Sequence, residues 1–65
     1  MTDLSADILE GADQIASFIY GSPKKRSKVY HLADKAKLPV FRMGAIICAR
    51  KSTILQWIAD QEKVA

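Results

Sequence analysis

The stretch from Ser22 to Ala36, Ser-Pro-Lys-Lys-Arg-Ser-Lys-Val-Tyr-His-Leu-Ala-Asp-Lys-Ala, combines a helix start signal with a single narrow apolar stripe, and its neighbours must pack against that stripe. Ser22 suits the N-cap, and Pro23 suits the first helical position, where its missing N–H is an orphan donor in any case. Val29, Leu32, Ala33 and Ala36 recur at i, i+3, i+4 and i+7, which places one apolar face against a core and leaves the opposite face open. Pro39 biases Leu38 away from helical angles, so the helix is expected to end at Ala36 or Lys37.

An earlier helix is predicted between Gly11 and Gly21, where Ala12, Ile15, Ala16 and Ile19 repeat the same spacing. Asp13 suits the positive end of its dipole, and Gly21 is a stop signal. Two short helices joined through Gly21 and Ser22 make a helix-turn-helix candidate, a signal that any small helical domain can produce. Residues 1–7 carry acids and little apolar surface, so they are expected to form a loosely ordered acidic arm ahead of a folded domain spanning 8–63. Ile8 and Leu9 are candidates to dock.

Beyond Pro39 the period changes. Val40 to Met43 and Ile46 to Ala49 are β-favouring runs separated by Gly44-Ala45, and glycine at the first central position is what a type II′ hairpin requires. This loop sets Met43 opposite Ile46, Arg42 opposite Ile47 and Phe41 opposite Cys48. The all-apolar face of Phe41, Met43, Ile46 and Cys48 is expected to lie on the helices, and Arg42 and Ile47 to point away. Ile46 to Ala49 also fits the start of a longer final helix. A last helix is predicted from Ser52 or Thr53 to Lys63, with Ser52 as N-cap and Trp57 filling the core from the side. The fold class is mainly α with a small β-hairpin, in the order helix, helix, hairpin, helix.

The chain has 65 residues, enough for one domain with a thin core. Its single cysteine, Cys48, forms no internal disulfide, which points to a reducing, cytoplasmic setting. No signal peptide is visible, and the longest uncharged apolar run is far shorter than the ~20 residues of a membrane helix. The spacing of His, Cys and acidic residues suits neither a metal site nor a catalytic dyad, and no Gly-rich phosphate loop follows a strand. No enzymatic role, cofactor, membrane contact or small-molecule effector is therefore expected.

Charge is segregated along the chain. Residues 1–23 carry −4, residues 24–51 carry +8 and the remainder carries −1. Such a block is either a solvated face or the footprint of polyanion binding, most often of nucleic acid. With Val29, Leu32, Ala33 and Ala36 facing inward, Ser27 and His31 point straight out, Lys24 lies beside them, and Lys28 and Tyr30 flank them. A helix in a major groove reads bases with such outward, mostly N-terminal side chains, so Lys24, Ser27, Lys28 and His31 are the candidate readers. Lys25 and Arg26 are candidate phosphate contacts, and Tyr30 is either a contact or a ring packed on the stripe. Arg42, Arg50 and Lys51 are candidate contacts on the far side of the groove. A solvated surface is the competing reading for Lys25 and for His31.

The runs Gly11-Ala-Asp-Gln-Ile-Ala-Ser-Phe-Ile-Tyr-Gly21, Val29-Tyr-His-Leu-Ala33, Lys37-Leu-Pro-Val-Phe-Arg-Met-Gly44 and Arg50-Lys-Ser-Thr-Ile-Leu-Gln-Trp57 together resemble the excisionase and MerR-type winged helix-turn-helix domains. The resemblance covers about residues 8 to 62, and the small stand-alone, excisionase-like type is the closer likeness. Two departures stand out: a longer and more basic segment between Gly21 and Val29, and Ile46-Ile47-Cys48 where the family commonly has aromatic and basic residues. The resemblance implies sequence-specific double-stranded DNA binding, with the second helix in the major groove and the hairpin as a wing along the backbone, in transcriptional control or site-specific recombination. A homodimer or cooperative copies on DNA are expected for so small a module. The alternatives are a protein-interaction adaptor, using Ile54, Trp57 and Ile58 or the Ile47 face, and RNA binding.

Overall fold

A computed structural model describes residues 3–64. The protein is mainly helical with a small three-stranded antiparallel sheet. Its elements run α1 (Leu4–Asp7), β1 (Ile8–Glu10), α2 (Ala12–Tyr20), a 3-10 turn (Pro23–Lys25), α3 (Arg26–Lys35), β2 (Phe41–Met43), β3 (Ile46–Arg50) and α4 (Lys51–Val64). The strand order is β1-β3-β2, so the last strand of the chain lies in the middle.

The corner between α2 and α3 forms as the sequence directs. Ala12, Ile15 and Ala16 are the buried stripe of α2, and Gly21 closes that helix in the left-handed region at φ 77, its N–H returning to the Ser17 carbonyl. The Ser22 hydroxyl accepts the Lys24 N–H, and Pro23 opens the next turn, so the expected cap is in place. The first turn, Pro23–Lys25, winds as a 3-10 helix before the α-helix begins at Arg26. At the far end Lys37 takes φ 58, a left-handed conformation that costs a side-chain-bearing residue roughly 1 kcal/mol, and the Leu38 N–H folds back to the Leu32 carbonyl.

The hairpin has the expected register: Phe41 pairs with Cys48, Arg42 with Ile47 and Met43 with Ile46. Gly44 alone of the two loop residues has positive φ, at 67, as a type II′ turn demands. Its faces are the reverse of the expected ones. Ile47 and Ala49 are buried in the core, whereas Phe41, Met43 and Ile46 are exposed. The physical reason is the third strand. Leu9 lies opposite Ala49, so Leu9, Ala49 and Ile47 form one apolar face that outcompetes the other for the helices. The chain entering β2 agrees with this, since Leu38 is buried and Val40 packs against the core, four and two residues before Arg42 on the same alternation. Cys48 is fully buried although it lies on the other face.

The acidic arm expected over residues 1–7 is structured where it is described. Leu4–Asp7 is a helical turn capped by Asp3, and Ile8–Glu10 is an edge strand; Met1 and Thr2 lie outside the described residues. The core gathers Leu9, Ala12, Ile15, Ala16, Val29, Leu38, Ile47, Ala49 and Ile54, with Trp57 packed against it from α4 as expected. Burying Ile15, Ile54 and Val29 completely stabilises the fold by about 1.5–3 kcal/mol each. No helix among the described residues is long and apolar enough to cross a membrane.

Candidate nucleic-acid interface

α3 turns Val29 fully into the core and half-buries Leu32 and Ala33, which fixes its rotation; Ala36, expected in the same stripe, is exposed because the helix ends at Lys35. Lys24, Lys25, Arg26, Ser27, Lys28, Tyr30 and His31 are all exposed as a result. Tyr30 is 50% exposed, so its ring is not consumed by the stripe. Lys24, Lys25 and Lys28 have no carboxylate within salt-bridge range among the described residues. The nearby cations that do are Arg26, 3.4 Å from Asp13 of α2, and Lys35, 3.4 Å from its neighbour Asp34. Both pairs are solvent-exposed and therefore weak. Lys28 lies 5.3 Å from the centre of the Tyr20 ring, a cation–π contact that leans it toward the end of α2.

Arg42 is exposed, and its side chain reaches the Ala45 carbonyl at 3.5 Å across the hairpin loop. It was expected to point away from the core. It lies instead on the core-facing side, paired with Ile47, and is exposed there. This reversal places Arg42 on the sheet face whose Ile47 and Ala49 join the core that Val29 of α3 also enters.

Arg50 and Lys51 sit where β3 runs into α4. Lys51 and Pro23 line one open groove of about 440 Å³ floored by Leu9 and Phe18, which brings Lys51 to the start of the basic segment. Arg50 is half-committed. Its Nε donates to Asp7 Oδ2 at 2.9 Å, while its side chain remains 46% exposed.

Asp7 is the functional-region residue that sequence reasoning missed. It is 4% exposed and accepts three hydrogen bonds: from Arg50 Nε, from the Ser52 N–H at 3.0 Å and from the Ser52 hydroxyl at 2.7 Å. α4 thus begins at Lys51, one or two residues earlier than expected, and Ser52 lies inside it rather than capping it; the capping carboxylate arrives from 45 residues away. The Ser52 hydroxyl bond, then the Ser52 N–H and the Arg50 guanidinium, hold the Asp7 carboxyl below its ordinary pKa despite its burial. The only clue in the sequence is an acid preceding a short apolar pair, a pattern too common to single out.

The surface invoked for a protein-interaction adaptor is largely internal. Ile54 and Ile47 are buried, and Trp57 and Ile58 are packed against the core. Among the described residues no group of three or more His, Cys, Asp or Glu side chains is placed to hold a metal ion. No family model, curated protein or solved structure matches the chain.

Proposed function

We propose that this protein is a sequence-specific double-stranded DNA-binding domain of the winged helix-turn-helix type, acting in transcriptional regulation or as an excisionase-like accessory factor in recombination. The observation that carries the reading is the face of α3 and the turn before it: a row of exposed bases, with Ser27, Tyr30 and His31 among them, on a helix whose other side is locked into the core. A fold gains nothing from clustering like charges on one face, so the cluster favours a polyanionic partner. The order of elements is also in keeping with the resemblance: a helical corner, a hairpin after the second helix of that corner, and a closing helix.

In this reading α3 enters the major groove. Lys24, Ser27, Lys28 and His31 meet base edges, while Lys25 and Arg26 meet phosphates near the positive end of the helix. Arg42 on the hairpin tip, with Arg50 and Lys51 near the start of the basic segment, grips the backbone on either side. The protein acts as a homodimer or as cooperative copies on DNA.

Selection of preferred sites from a random duplex pool tests the base-reading assignment. Wild type is expected to enrich a defined sequence. Lys24→Ala, Ser27→Ala and His31→Ala are expected to lose part of that preference while keeping most of their affinity for random duplex, and an unchanged preference in all three contradicts the assignment.

A further inference from the structure

Asp7 is the one buried charged residue among those described, and the proposed interface makes no direct use of it. Its two oxygens divide their work. Oδ1 accepts the Ser52 N–H in the first turn of α4, and Oδ2 accepts both the Ser52 hydroxyl and Arg50 Nε. Only Nε of Arg50 is engaged among the described residues, and its side chain is 46% exposed. A guanidinium is rigid and planar, so fixing Nε orients the whole group, and its Nη1–Nη2 end lies on the side away from the bond.

Resting on the DNA-binding reading above, we infer that Asp7 is a positioning residue that holds Arg50 with its Nη1–Nη2 end presented to a backbone phosphate, beside Lys51. That end of a guanidinium matches two phosphate oxygens at once. A side chain already held in place loses less freedom on binding than a solvated arginine does. The N-terminal segment then has a role in recognition although it touches no DNA: it carries the carboxylate that aims the cation. It also closes the first turn of α4 to anions, so the phosphate contact at this junction falls to the Arg50 side chain.

The sign of the effect separates positioning from simple charge. A carboxylate near a polyanion opposes binding, so on charge alone Asp7→Asn strengthens it. Positioning predicts the reverse. In Asp7→Asn, Oδ1 still accepts the Ser52 N–H, and the Ser52 hydroxyl rotates to accept from the new amide. The Arg50 Nε–H faces another donor and is released.

Fluorescence anisotropy of the full chain on random duplex at low salt, with thermal melts to confirm folding, provides the test. Asp7→Asn is expected to weaken binding about five-fold, less than the loss of a whole charge-assisted contact because Arg50 is released rather than removed, even though the change adds a positive unit to the net charge. In an Arg50→Ala background the same change is expected to cause no loss. Equal losses in both backgrounds, or no loss in the wild-type background, overturn the inference while leaving duplex binding intact. Failure of the wild type to bind duplex removes the DNA-binding reading and this inference with it. The Arg50 Nε–H proton resonance supplies a readout that needs no variant: slow exchange with solvent in the free protein is expected, and fast exchange contradicts the inference.

Discussion

At the foot of α4 one carboxylate, Asp7, sits 4% exposed and takes three donors, while along α3 and the turn before it Lys24, Lys25 and Lys28 lie exposed with no carboxylate in range among the described residues. The two regions carry charges of opposite sign under opposite conditions. A buried charge is tolerable only when its hydrogen-bonding capacity is met, and Asp7 meets it by tying the N-terminal segment to the junction of β3 and α4. Lys24 and Lys25 tie nothing together among the described residues, and Lys28 makes only its exposed contact with the Tyr20 ring. The Asp7 charge itself is spent inside the fold, and charge on α3 is left for something outside it.

The largest effect is expected from Asp7→Ala. It strips the cap from α4 and leaves the Ser52 N–H and Arg50 Nε without an acceptor, so the midpoint of thermal unfolding should fall further than for any alanine substitution on the exposed face of α3. An equal or smaller fall would break the comparison. Acid is expected to act at the same place. The folded-state pKa of Asp7 lies below its ordinary value of 3.8, so the unfolded chain takes up the proton first. The contribution of Asp7 is therefore complete above that ordinary value and is lost as pH falls through the lower, folded-state pKa. Melts from pH 6 downward should show this loss in the wild type and lack it in Asp7→Asn.

Arg26→Ala should cost less than ~1 kcal/mol, because its 3.4 Å pair with Asp13 joins two side chains that are 65% and 59% exposed. Chemical denaturation measures this directly. Lys24→Ala, Lys25→Ala and Lys28→Ala should have the smallest effect on the fold, within about ±0.5 kcal/mol. Each that contacts a phosphate should nonetheless make the log–log salt slope of duplex binding shallower by about 0.9. Loss of stability without a change in slope would place these lysines with Asp7 rather than opposite it.

The helical corner was legible because its signals are local. Gly21, Ser22 and Pro23 specify the turn through their own backbone preferences, and the stripes of Ile15 and Val29 specify the rotation of each helix. The hairpin register was legible for the same reason, since a two-residue loop with Gly44 fixes every pair. The direction of the hairpin face was not. Four apolar residues on one side outvoted Ile47 on the other, and the balance was set by β1, whose three residues pair with a strand about 40 positions away. Asp7 was hidden by the same distance, because its partners Arg50 and Ser52 are 43 and 45 residues further on. The outward set on α3 followed from periodicity and is exposed as expected. Arg42 shares the error of the hairpin face: it lies on the core-facing side and is nonetheless exposed.

The claim that the basic face of α3 serves a polyanionic duplex is tested most directly by the salt dependence of binding to random double-stranded DNA, followed by fluorescence anisotropy across a series of salt concentrations. With six of the bases on phosphates, the logarithm of the binding constant should fall against the logarithm of salt with a slope of roughly −5. No measurable binding at low salt, or binding indifferent to salt, would contradict it.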